Sequence, residues 1–124
     1  MQRVAPARDE GVVTMIKDRI VRVKLKRTFK EQRPLSYVGK VTAFSDFWVA
    51  MEATAVMIAR SQPNNVQIDA HRSAAVIPRD SIESIVILPD DFNVKEIKIT
   101  TQGQQIQIDV KGGPNVYVGE LGDG

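Results

Sequence analysis

Hydrophobic and polar residues alternate along most of this chain, a pattern that predicts β-strands rather than helices. From Arg19 onward, Val21, Val23 and Leu25 lie on one side and the residues at 22, 24 and 26 on the other, as in a half-buried strand. Further strands are predicted at 35–44, 47–60, 66–69, 74–77, 81–88, 94–100, 104–110 and 115–119, the one at 81–88 buried on both faces near its end. The fold class is therefore predicted to be mainly β.

Two segments carry a helical signal. Asp9 is a suitable N-cap for a short helix over residues 9–18, with Val12, Val13 and Ile16 on one face. The apolar segment 47–60 is predicted to be one long strand, with a helical turn around 52–57 as the alternative. The turn-forming residues at 61–65 then predict that 47–70 forms a protruding hairpin.

The chain divides into three parts in this prediction. Its 124 residues suit one domain and exclude two independent enzyme domains. Residues 1–8 are expected to be a flexible basic arm, and 9–91 a small barrel of bent strands with an inserted hairpin at 52–73. Gly39, at the centre of a strand, predicts a sharp bend or a close approach of another backbone. Residues 92–124 are predicted to be a C-terminal β extension built around a hairpin turn at Gln102-Gly103.

Several classes of chemistry are poorly represented in the sequence. It holds no cysteine and a single histidine, His71, and lacks the glycine-rich phosphate-binding and nucleophile-elbow motifs. We therefore expect no catalytic residues, no metal site, no cofactor and no enzymatic activity. No apolar run is long enough to span a bilayer and the first ten residues lack a signal-peptide pattern, so the expected location is cytoplasmic, without membrane partners.

The charges are unevenly distributed. Residues 1–40 hold eleven Lys and Arg against four Asp and Glu, whereas residues 41–124 hold six against eleven. A basic stripe, made of Arg22, Lys24, Lys26 and Arg27, is a candidate for phosphate binding. The alternative is a solvated strand face whose cations discourage aggregation through the sheet edge.

Three stretches of the sequence carry a family resemblance. They are the alternating valines and leucine at 21–25, the sequence GKVTAFSDF at 39–47, and the sequence IPRDSIESI at 77–85. Together they resemble the two-part signature of the Sm, LSm and Hfq proteins, over residues 9–88. The resemblance implies an N-terminal helix followed by a five-stranded bent barrel, homo-oligomeric rings of about five to seven copies, and binding of single-stranded RNA.

The same resemblance implies an RNA-binding site at two turns. In that arrangement a base lies between Phe47 and Arg79, because aromatic rings and guanidinium planes stack on bases. Sm proteins usually hold Asp where Ser45 stands and Asn where Val49 stands, so this chain departs from the usual uridine pocket. The candidate RNA-binding residues are Ser45, Asp46, Phe47, Trp48, Arg79 and Asp80.

Other functions stay open at this stage. One is a ring-forming structural or interaction protein of the same fold that has lost the RNA pocket. Another is a small-nucleotide binder that uses Arg72 and Arg79. For assembly, residues 85–88 are too apolar for an exposed sheet edge and call for a partner strand. The rival is a monomer in which the strands at 94–118 cover that edge.

Overall fold

The computed structural model describes residues 16–123, and strands dominate this part of the chain. Every strand pair in it is antiparallel, which confirms the mainly β prediction. Two short 3-10 turns, Pro63–Asn65 and Arg79–Ser81, interrupt the strands. The strands of the described residues are β1 Ile20–Leu25, β2 Leu35–Phe44, β3 Trp48–Ile58, β4 Val66–Ile68, β5 Ser73–Pro78, β6 Ile82–Ile87, β7 Ile99–Gln102, β8 Gln105–Ile108 and β9 Val116–Glu120.

The first sheet is built around the long strand β3. Its strand order is β4-β3-β2-β1-β6, and β5 also pairs with β3. β4 pairs with the end of β3, whereas β5 pairs with its first half, from Trp48↔Pro78 to Ala53↔Ser73. Residues 52–57 thus lie inside a strand flanked on both sides, so the helical alternative is wrong, and the predicted hairpin of β3 and β4 is confirmed.

The sheet is open at β5 and β6. Each pairs with one strand only in the part of the chain that the structure describes, β5 with β3 and β6 with β1. No closed barrel is formed by these residues. The expected burial of the end of 81–88 on both faces is confirmed in part: Ile85 and Ile87 pack against one core and Val86 and Leu88 against the other, but only Leu88 is fully buried.

One face of the first sheet buries a core of its own. Its apolar residues are almost inaccessible to solvent, and a face of a single sheet reaches such burial only if the sheet curves around it or another layer covers it. Gly39 lies where β2 and β3 approach most closely, as the sequence predicts: an added Cβ would overlap the Glu52 carbonyl oxygen and lie 2.7 Å from the Ala53 Cα. The core residues are Val21, Val23, Val41, Val49, Met51, Ala53 and Ile77.

The C-terminal strands form a second sheet, in the order β7-β8-β9. Its hairpin turns at Gly103, whose φ of 62° favours glycine. This sheet packs on the other face of the first sheet without pairing with β5 or β6, so it leaves both edges open. The buried residues shared by the two sheets are Val38, Val56, Ile58, Val66, Leu88, Ile106, Ile108, Val110, Val116 and Val118.

This packing changes the predicted basic stripe. Arg22 and Lys24 are only 4% and 7% exposed. Arg22 pairs across the strands with Val38, a residue of the core shared with the C-terminal sheet. The expectation of a solvated basic face is therefore wrong for these two residues. At Arg22 the reason is a second layer, since Val116 and Tyr117 of the C-terminal sheet lie on the side of β1 that the alternation assigned to water.

Part of the predicted N-terminal organisation lies outside the described residues. This holds for the basic arm at 1–8 and for residues 9–15 of the predicted helix. Within 16–123, the chain enters β1 through a turn in which Asp18 has a φ of 62° and donates its backbone N–H to the Val41 carbonyl oxygen. No helix in this range has the length and apolar character needed to cross a membrane.

Candidate nucleic-acid interface

The turn between β2 and β3 is closed by Ser45. Its backbone N–H donates to the Trp48 carbonyl oxygen at 2.9 Å. Its Oγ accepts hydrogen bonds from the backbone N–H groups of Phe47, at 3.1 Å, and Trp48, at 3.3 Å. A hydroxyl that bonds to backbone groups two and three residues on is a common way to stabilise a tight turn. Ser45 thus fixes the backbone on which Phe47 is presented.

Arg79 joins this turn to the turn between β5 and β6. Its backbone N–H donates to the Phe47 carbonyl oxygen at 2.9 Å. Its Nη1 lies 3.2 Å from the Asp46 carbonyl oxygen and 3.4 Å from that of Ser45. The structure therefore brings residues 45–48 and 78–80 into contact, and we call these two segments together the rim.

The rim presents an exposed aromatic side chain. Phe47 is 80% exposed and Trp48 is 37% exposed. Burial of an aromatic ring is strongly favourable, so the exposure of Phe47 next to Arg79 suggests that a partner covers the ring. Within the residues that the structure describes, Arg79 forms no salt bridge, and Glu83 pairs with Lys24 instead. Phe47 thus provides a stacking surface. Arg79 provides a cation whose hydrogen-bond partners in the described residues are the carbonyl oxygens of Ser45 and Asp46.

The polar groups of the rim differ from those of the usual uridine pocket. Val49 is 3% exposed and belongs to the core, so its position offers nothing to a base. Asp46 and Asp80 are exposed. Their carboxylates can accept hydrogen bonds from a base edge, but they also repel phosphate.

The backbone of Lys26, in the basic stripe, contacts the end of the turn Arg79–Ser81. This exposed residue follows β1 directly, and its backbone N–H donates to the Ser81 carbonyl oxygen at 2.8 Å, next to the turn that holds Arg79 and Asp80. Arg27 points elsewhere, with its Nη1 3.6 Å from a carboxylate oxygen of Asp123. The contact between Lys26 and Ser81 could not be predicted from the sequence, because it depends on how β1 pairs with β6.

The two arginines of the nucleotide hypothesis are far apart. Arg72 precedes β5 and Arg79 follows it, so about 20 Å of extended chain separates them. They therefore cannot hold the phosphate of one small nucleotide together. His71 lies beside Arg72 on an exposed loop.

The described residues hold no cluster of three or more His, Asp and Glu side chains that fits a metal ion. The rim thus offers aromatic, cationic and carboxylate groups on one connected surface. Comparisons with family models, with curated proteins and with solved structures gave no match to this chain.

Proposed function

We propose that this chain is an Sm-like protein that assembles into a homo-oligomeric ring and binds single-stranded RNA at its rim. The observation that carries the proposal is the contact between residues 45–48 and Arg79, which sets an exposed phenylalanine beside an arginine on a sheet with two open edges. The motifs at 39–47 and 77–85, on which the family resemblance depends, contain these two turns.

The strand order supports the assembly. At the first half of β3 the sheet follows the order β5-β3-β2-β1-β6, so β5 and β6 are the two lateral edges. An edge strand with apolar side chains is prone to pair with another strand. On β5 the side chain of Val76 is 67% exposed, and β6 carries half-buried isoleucines. Pairing of β5 in one copy with β6 in the next is a head-to-tail contact, which leaves no open edge if it closes into a ring.

The side chains of the rim favour binding of single-stranded RNA over binding of a duplex. Unpaired bases stack on aromatic rings and guanidinium planes, and each stacked base contributes about 1–3 kcal/mol. Phe47 supplies the ring, and Arg79, whose backbone N–H bonds to the Phe47 carbonyl oxygen, supplies a positive charge. One such site is weak by itself. Repeated around a ring, it becomes a multivalent site in which each bound base raises the effective concentration of the next.

A second candidate function is a ring that acts as a structural or interaction protein without binding RNA. The observation in its favour is the chemistry of the rim: Asp46 and Asp80 place two carboxylates beside Arg79, and the Ser45 hydroxyl already accepts two backbone hydrogen bonds. Oligomerisation without affinity for any RNA is its expected signature.

RNA binding is tested by titrating fluorescein-labelled oligo-U and oligo-A with the protein and recording the fluorescence anisotropy over a range of salt concentrations. We expect saturable binding that weakens as salt rises, because cations that neutralise phosphates release counterions. A linear fall of log K with log salt supports phosphate contacts. No binding at the lowest salt concentration would leave only the second candidate.

The substitution Val76→Asp tests the proposed subunit contact. Val76 is 67% exposed, so an aspartate is expected to be tolerated by the single subunit, but a carboxylate at a paired strand edge is costly to bury. We expect light scattering after size exclusion to show a ring for the unaltered protein and subunits of 13.8 kDa for the variant. The control is Thr101→Asp, on an exposed position of β7, which should leave the ring intact. An unchanged mass for Val76→Asp would exclude β5 from the contact.

A further inference from the structure

A groove lies between the two sheets, beside the core that they share. Its volume is about 470 Å³, within the range of small-molecule sites. The end of β6 forms one wall and β9 with the loop before it forms the other. The residues that line it include Arg19, Arg22, Val86, Leu88, Val116 and Tyr117.

Arg22 is the unusual member of this lining. It is 4% exposed, and its Nη1 donates to the Ser84 Oγ at 3.0 Å. Its Nε is buried and has no hydrogen-bond partner within the residues that the structure describes. An unpaired guanidinium N–H in an apolar setting costs free energy, since the group has lost its water without gaining an acceptor.

Among residues 16–123, no carboxylate forms a salt bridge with Arg22. Burial lowers the pKa of Arg22, an effect that the nearby Glu83 opposes. The Glu83 carboxylate, however, is bonded to the Lys24 Nζ at 3.1 Å. Arg19, which also lines the groove, is already paired through its Nε with Asp90 at 3.0 Å. The groove therefore combines apolar walls with one buried cation for which the described part of the chain supplies no paired anion.

We propose that this groove binds a small amphipathic carboxylate, whose anionic group bonds to Arg22 and whose hydrocarbon chain packs against β6 and β9. A carboxylate accepts charge-assisted hydrogen bonds from guanidinium groups, and an apolar chain matches Val86, Leu88 and Val116. The site lies within one chain. It therefore depends neither on the ring nor on RNA binding.

Isothermal titration calorimetry of the 124-residue chain with octanoate tests this site, with octanol and acetate as comparisons. We expect octanoate to bind at least tenfold more tightly than either, because octanol lacks the charge and acetate lacks the apolar chain. Equal affinity for octanol and octanoate would overturn the role of Arg22, and no binding of octanoate would overturn the site.

The substitution Arg22→Met tests the cation at nearly constant side-chain volume. We expect octanoate affinity to fall at least tenfold, while the fold is kept because a buried charge is replaced by an apolar side chain. The matched control is Lys24→Met, which removes the other buried cation of β1 but lies outside the groove lining. Its affinity for octanoate should stay within twofold of the unaltered protein. An equal loss in both variants, or no loss in Arg22→Met, would contradict the proposal.

Should Arg22→Met fail to fold, the unaltered protein still decides the matter through NMR. Octanoate is expected to shift the backbone amide signals of Val86, Leu88 and Val116 and to leave those of the rim unchanged. Shifts confined to residues outside the groove would place the ligand elsewhere and overturn the assignment.

Discussion

Replacing Gly39 by alanine is expected to lower the free energy of unfolding by about 3 kcal/mol or more, or to prevent folding. The added Cβ would overlap the Glu52 carbonyl oxygen and lie 2.7 Å from the Ala53 Cα, and both are backbone atoms of β3. A side chain can rotate away from such a clash, whereas a central strand moves only by breaking its pairing. Urea unfolding followed by circular dichroism measures the loss.

The control for this prediction is Gly113→Ala. At Gly113 the new Cβ would meet only a Val110 side-chain carbon at 3.6 Å, an ordinary contact. We expect a change within about 0.5 kcal/mol. A Gly39→Ala protein as stable as the control would mean that β2 and β3 are not as close as the structure places them.

Phe47→Ala is expected to weaken binding of oligo-U or oligo-A by about five- to 150-fold, the equivalent of one lost base stack. Because the side chain is 80% exposed, its removal should leave the thermal stability of the subunit unchanged.

Arg79→Ala is expected to weaken binding as well. It also removes the Nη1 hydrogen bonds to the carbonyl oxygens of Ser45 and Asp46, so its melting temperature must be measured alongside. Fluorescence anisotropy gives the affinities.

Matched controls exist for both residues. Phe29→Ala removes another exposed phenylalanine, 58% accessible and outside the rim, and Arg72→Ala removes an exposed cation at the far end of β5. We expect Phe29→Ala to leave affinity unchanged and Arg72→Ala to change it only through overall charge. If both rim variants bind the oligonucleotides with affinities within twofold of the unaltered protein, the rim is not the RNA-binding site.

The sequence was informative wherever neighbouring residues determine the structure. The alternation of apolar and polar side chains located most of the strands, and for β2 the predicted bounds are those of the structure, Leu35–Phe44. The strand predicted at 94–100 is largely wrong, because β7 begins only at Ile99. Gly39 could be identified as a site of close backbone approach because few other roles suit a glycine inside a strand. The turn residues before Val66 likewise revealed the hairpin of β3 and β4.

What the sequence left out depends on packing between distant segments. Alternation shows that Arg22 and Lys24 share a face of β1, but it does not show what covers that face. At Arg22 that face is covered by residues of the C-terminal sheet, more than 80 positions away in the sequence. For the same reason, neither the groove at Arg22 nor the contact of Lys26 with Ser81 could be predicted from the sequence.

Edges were also difficult to foresee. An apolar stretch such as Ile85–Leu88 signals that a strand needs a neighbour, but not whether the neighbour belongs to the same chain. In the described residues the C-terminal strands form their own sheet and pair with neither β5 nor β6. Within residues 16–123 the C-terminal strands therefore do not cover the edge by strand pairing, although Val86 of β6 packs against their core.

Native mass spectrometry of the purified protein, with and without short oligo-U and oligo-A, tests the proposed ring and its RNA site most directly. We predict one closed oligomer of about five to seven subunits whose mass rises by one oligonucleotide when RNA is present. A single species of 13.8 kDa that takes up neither oligonucleotide would contradict both.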